Sequence, residues 1–141
     1  MSHLYSTKVT AVGGRHGTIK SEDGVLALEL ALPKKLGGVG GAANPEQLFA
    51  GGYSACFENA LLRAAHDAGV RLKDSDLRVT AEIGLDHNVR GEFVLAAALS
   101  VTVKGIDQWV AEGLVIDAHE VCPYSNAIKG NVDVLLSVQV E

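Results

Sequence analysis

A chain of 141 residues falls within the usual size of one domain and is long enough to bury an adequate core. Hydrophobic residues make up 48% of it but aromatic ones only 5%, so the core has to rely on Val, Leu, Ile and Ala. The net charge of -5, with the 12 Lys and Arg scattered, argues against a nucleic-acid surface, which neutralises phosphates with clustered cations.

No stretch approaches the roughly 18 to 20 consecutive apolar residues of a membrane span. The start MSHLYSTKVT has no basic region followed by an apolar run, so a cytoplasmic location is expected. In a reducing compartment the two cysteines are more readily catalytic or inert than a structural disulfide. There is no CxxC pair, and two Cys with five dispersed His lack the spacing of a structural zinc site, so no metal is expected.

The N-terminal stretch LYSTKVTAVGGRHGTIKSEDGVLALELAL has β-branched runs broken by GGRHG and SEDG, which predicts a meander of three short strands. PKKLGGVGGAANPEQ follows, with four glycines between Gly37 and Gly41, a loop by composition. Asn44, Pro45, Glu46 and Gln47 then form a strong helix start: an N-cap, a proline at the first helical position, an acid in the first turn and the Gln of a capping box. Phe49, Tyr53, Cys56 and Ala60 recur at helical spacing, which places Cys56 on an apolar stripe of a helix that runs to about Gly69.

From Leu77 the period changes to two. Leu77, Val79, Ala81, Ile83 and Leu85 share one face, the turn HNVRGE follows, and Phe93 to Val103 alternate again, so residues 77–104 predict a long hairpin. Ile106, Val110, Leu114 and Ala118 return to helical spacing and end near Cys122 and Pro123, and Val132 to Val140 supply a last strand. The fold class is therefore α+β: meander, long helix carrying the first Cys, hairpin, second helix, C-terminal strand, in one domain over residues 1–141. The long helix buries a fairly apolar face, including LFAGGYSACF, which makes a homodimer a reasonable expectation.

Cys56 on an apolar stripe reads first as a small buried hydrophobe, and Cys122 as a cysteine at a helix end stopped by Pro123. A reactive thiol needs a cationic neighbour or a similar influence to lower its pKa from about 8.5. Arg15, in GGRHG, is a candidate because its fork can bind a thiolate and a carboxylate; without a partner it is a solvated turn residue. Glu46 offers the carboxylate, although acids in a first helical turn are routine for dipole reasons. His119, three residues before Cys122, is a candidate base or ligand and equally a surface or packing residue.

Two segments go further. NPEQLFAGGYSACF (Asn44 to Phe57) and AHEVCPYSNAIKGNVDV (Ala118 to Val134), together with GGRHG and the order of elements, resemble the organic hydroperoxide resistance proteins of the OsmC-like superfamily over nearly the full length. The resemblance implies an intertwined homodimer of OsmC-like fold and a cysteine-based peroxidase that reduces organic hydroperoxides, fatty-acid hydroperoxides included, to alcohols. It makes Cys56 the peroxidatic and Cys122 the resolving cysteine, joined as a disulfide in the cycle. Arg15 and Glu46 become the pair that activates the thiolate, and a lipoylated protein or dihydrolipoamide the reductant, with no bound cofactor. Lys129 stands where many relatives carry arginine, and Gly51-Gly52 where Ala-Gly is commoner.

An OsmC-branch peroxidase with other substrates, and a non-catalytic module that holds an acyl ligand, are the alternative readings. Ten residues separate Glu46 from Cys56, about 15 Å along a straight helix. The carry-over therefore requires either a break in the helix, as at Gly51-Gly52, or a site assembled from two chains.

Overall fold

The computed structural model describes residues 2–141, which divide into two compact units, one ending at Leu48 and the other Phe49–Glu141. In the first unit, strands β1 (Val9–Val12), β2 (Thr18–Ser21) and β3 (Ala27–Glu29) form an antiparallel sheet in the order β1-β2-β3, the predicted meander. GGRHG folds into a single 3₁₀ turn, Gly14–His16, between β1 and β2. The turn is tight enough that a Cβ on Gly17 would collide with the carbonyl oxygen of Val12, so glycine is required where the chain re-enters the sheet. Beyond β3, an isolated bridge between Leu30 and Ala43 ties off the glycine-rich loop.

Helix α1 (Pro45–Asp67) starts as the sequence predicts, with the Asn44 side-chain oxygen accepting from the backbone N–H of Gln47 at 2.9 Å. The helix is continuous through Gly51 and Gly52, so the break offered above as one way to build the site does not occur. Two glycines lower helix propensity by roughly 1 kcal/mol each relative to alanine. In a helix of 23 residues they do not end it.

In the second unit, β4 (Leu77–His87) and β5 (Phe93–Val103) form the long antiparallel hairpin. Strand β6 (Val134–Val140) pairs in parallel with β5, giving the order β4-β5-β6. A parallel partner demands a crossover connection, supplied by α2 (Gln108–Val121) and the short α3 (Pro123–Ile128). The core of this unit joins Tyr53, Phe57 and Leu61 of α1 to Leu99, Val101 and Val103 of β5 and to Leu114, Val115 and Ala118 of α2.

Helix α3 departs from expectation. Pro123 stops the second helix and also opens a new one: its fixed φ and missing N–H suit the first helical position, so the chain bends at Cys122 and turns helical again. Cys122 is at once the last cap of α2 and the first cap of α3.

Candidate active site

The second unit brings the two cysteines together. Cys56 lies mid-helix on α1, half-buried, and Cys122 at the α2–α3 joint is completely buried. Their sulfurs are 3.6 Å apart, both as free thiols. A disulfide needs about 2.05 Å, so closure brings the sulfurs together by about 1.5 Å.

Burial pushes the Cys56 thiol up from its ordinary pKa, and the neighbouring Cys122 adds to the rise. The backbone N–H of Tyr124 acts the other way by hydrogen-bonding to the sulfur. Tyr124 is the second residue of α3, where backbone N–H groups have no partner within the helix and are free to donate sideways. Within this unit the net shift of the thiol is upward, opposite to the lowered pKa that a reactive cysteine requires.

Cys56 opens onto a cavity of about 700 Å³ in the second unit, lined also by Asn59, Arg63, Asp117, Glu120 and Pro123. A volume in this range accommodates a small organic molecule. An aromatic cluster joins α1 to α3: Phe49 and Tyr53 of α1 and Tyr124 of α3 meet with ring centroids 5.8 to 6.2 Å apart. Tyr124 reaches α1 only because Gly52 has no side chain; a Cβ there would sit 2.5 Å from the Tyr124 hydroxyl. Gly51, one residue earlier, has nothing within 4 Å of the corresponding position. The second glycine is thus fixed by packing, whereas the first could be the alanine that the resemblance finds commoner.

The first unit brings Arg15 and Glu46 together. Arg15 Nη1 donates to Glu46 Oε2 at 2.8 Å and Nη2 to Oε1 at 2.6 Å, the parallel fork that guanidinium and carboxylate geometry favours. The Arg15 hydrogen bonds hold the Glu46 carboxyl below its usual range against the opposing effect of burial, and the helix start adds its own backbone N–H. Arg15 is raised in turn by the same contact. The Arg15 side chain is 36% exposed and that of Glu46 16%.

His119 is half-buried and bonded: its Nδ1 lies 2.9 Å from the Ser125 hydroxyl, which lies 2.6 Å from the Tyr53 hydroxyl. Among the described residues no group of His, Cys, Asp and Glu is arranged to hold a metal ion, and no helix is long and apolar enough to cross a membrane. The sequence marks Tyr53 only as a member of the apolar stripe and gives no role to Tyr124 or Ser125. The available signals were the positions of Tyr53 one turn before Cys56 and of Ser125 three residues after Cys122.

Fold and site together define a small α+β protein with a paired dithiol and a separate arginine–carboxylate fork. The OsmC-like protein family model matches residues 38–137. An organic hydroperoxide resistance protein OsmC from Legionella pneumophila has the same fold with a TM-score of 0.93 and 51% identity, covering 99% of this chain and 100% of that one. A putative organic hydroperoxide resistance protein from Vibrio cholerae, solved with captopril bound in one of its active sites, gives a TM-score of 0.91 and 49% identity over 98% and 94% of the two chains. The organic hydroperoxide resistance protein OhrB of Bacillus subtilis is 44% identical over 138 residues, 96% of this chain and 98% of its own. The chain belongs to the OsmC-like family, in its organic hydroperoxide resistance branch.

Proposed function

We propose that the protein is a cysteine-based peroxidase that reduces organic hydroperoxides, fatty-acid hydroperoxides among them, to alcohols. The observation that carries this reading is the pair of free thiols 3.6 Å apart, one opening onto a cavity and the other wholly buried. It is supported by relatives named for organic hydroperoxide resistance.

The Cys56 thiolate attacks the outer oxygen of the peroxide, the O–O bond breaks, and the alkoxide leaves to take up a proton as the alcohol. Cys56 is then a sulfenic acid, oxidised by two electrons. Cys122 attacks that sulfur, water departs with the Cys122 proton, and the Cys56–Cys122 disulfide forms. A lipoyl-type dithiol, on a lipoylated protein or as dihydrolipoamide, reduces the disulfide and returns both thiols; no cofactor is bound. An apolar tail gains burial energy against Ala60, Ala64, Ala68 and Val121 of the Cys56 cavity that hydrogen peroxide cannot, which favours lipid-like substrates.

Cys56 needs a cation, because its own surroundings raise its pKa. In this reading Arg15, oriented by Glu46, supplies that charge to the thiolate and to the peroxide. The protein works as a cytoplasmic homodimer, which fits a relative with captopril in one of several active sites, and the two units act as a single OsmC-like domain, which fits the span of the family match.

The test follows loss of an organic hydroperoxide supplied with dihydrolipoamide, with thioredoxin or with glutathione. Rapid turnover with the lipoyl dithiol alone, abolished in Cys56→Ser, is expected. If peptide mass mapping after peroxide treatment finds no Cys56–Cys122 bond, the cycle is wrong.

A further inference from the structure

We infer that the buried chain Tyr53–Ser125–His119 positions the resolving thiol, fastening α3 against α1 and α2 so that Cys122 stands ready to close on Cys56. The inference rests on the proposed two-thiol cycle for its biological meaning, but its geometry stands alone.

Cys122 is a joint residue. Its backbone is extended (φ -64°, ψ 122°) between two helices, and Pro123 after it has no N–H to anchor the bend. The direction of the Cys122 side chain therefore depends on how the first turn of α3 is set. Ser125 lies in that turn and is only 3% exposed. Its one hydroxyl touches Tyr53 on α1 at 2.6 Å and His119 on α2 at 2.9 Å, so a single atom links three helices.

The link runs beside the thiols. Tyr53 precedes Cys56 by three residues on α1, and His119 precedes Cys122 by three on α2, so each end of the chain sits one helical turn from a sulfur. Either tautomer of His119 satisfies the chain. Tyr53 donates to Ser125 and Ser125 to Nδ1, or a protonated Nδ1 donates to Ser125 and Ser125 to Tyr53.

The surroundings are otherwise apolar: Phe57, Ala118 and Cys122 are completely buried in the same cluster. Burying two hydroxyls there offers no hydrophobic gain, and the hydroxyls must be bonded to avoid a desolvation penalty. A phenylalanine and an alanine would serve packing alone. What the hydroxyls add is direction, which a thiol with about 1.5 Å still to travel requires, since small misplacements of reacting groups are expensive in rate.

Closure can be read without peroxide. One equivalent of dithiobis(nitrobenzoate) per chain reacts first at Cys56, which opens onto the cavity: the thiolate displaces one thionitrobenzoate and a mixed disulfide forms. Cys122 then attacks the Cys56 sulfur, loses its proton, and expels the second thionitrobenzoate as the internal disulfide forms. The two releases are separate kinetic phases.

In Ser125→Ala and in Tyr53→Phe, which keeps the ring and removes only the hydroxyl, the second phase should slow by about tenfold while the first stays within about twofold. Ser125→Thr, which keeps the hydroxyl, should restore it. A second phase within about twofold of the unsubstituted protein in both variants overturns the inference, as does an equal slowing of both phases, the mark of a merely structural role. So does the absence of a second phase in the unsubstituted protein. An organic hydroperoxide in place of the reagent separates the two claims: closure after the aromatic disulfide with no consumption of hydroperoxide refutes the peroxidase reading and leaves the positioning role standing.

Discussion

The two units meet different requirements by different physics. The first buries little, with Ser21, Leu30 and Ala31 its only buried residues among those described, and its notable feature is a charge: the Arg15–Glu46 fork on a 3₁₀ turn and a helix start. The second holds the apolar cluster and both thiols, and its notable feature is packing, with Tyr124 seated over Gly52 and Cys122 sealed in the core. Packing can bring two sulfurs into contact, but the same burial raises the Cys56 pKa and so opposes its reactivity. Arg63 lines the same cavity but pairs with Asp67 at 3.5 Å, so among the described residues the second unit pairs no cation with the thiol.

The sharpest way to break this comparison is to remove the charge and leave the packing. Arg15→Gln should lower peroxide turnover by about 100-fold, the scale of losing one preorganised donor. It should change stability by less than about 0.5 kcal/mol, since Arg15 is a partly exposed turn residue. The sign on pH follows from the raised Cys56 pKa. The thiolate is the nucleophile, so alkylation of Cys56 by iodoacetamide rises as pH climbs toward the pKa. Loss of a nearby cation should move that rise to higher pH by about 1 to 3 units. An alkylation profile identical to that of the unsubstituted protein would mean that Arg15 does not serve Cys56.

The converse change disturbs packing and leaves charge alone. Gly52→Ala forces the Tyr124 ring off α1, where Phe49 and Tyr53 hem it in at 6.1 and 5.8 Å between ring centroids. Overpacking of this kind costs about 1 to 3 kcal/mol, against about 1 kcal/mol returned by helix propensity. A net loss of about 1 kcal/mol, read as a lower urea midpoint with an unchanged slope, is expected. A gain would show that Tyr124 moves freely and that the thiol site is not fixed by packing.

Legibility in the sequence divides along the same line. The hairpin, the two long helices and the meander were readable because their signals are local: period two from Leu77, helical spacing from Phe49 and Ile106, and a cap at Asn44. Helix α3 was not, because a six-residue helix beginning at proline looks like a stop. The parallel register of β6 on β5 is set by a distant crossover that leaves no local mark. At the site, Cys56 and Cys122 are 66 residues apart, and only a family resemblance paired them. Nothing of the kind pointed to Ser125, whose hydroxyl bond to Tyr53 spans 72 residues. Arg15 and Glu46 were proposed as partners on charge alone, and their fork is what charge and hydrogen-bond geometry favour.

The gentlest probe separates the two glycines that the sequence presents as a pair. Gly51 is exposed, lies inside α1 and has open space where a Cβ would go. Alanine there loses no contact, keeps the carbonyl that accepts from the Ser54 hydroxyl at 3.1 Å, and restricts the unfolded chain. Gly51→Ala should therefore raise stability by about 0.5 to 1 kcal/mol, with turnover unchanged, measured as a higher urea midpoint. The two substitutions are chemically identical and one residue apart, so their opposite signs would arise only from the face of the helix each occupies. A loss at Gly51 comparable to that at Gly52 would mean that this outer face is covered as well, and the partner copy of a homodimer is the natural cover for it.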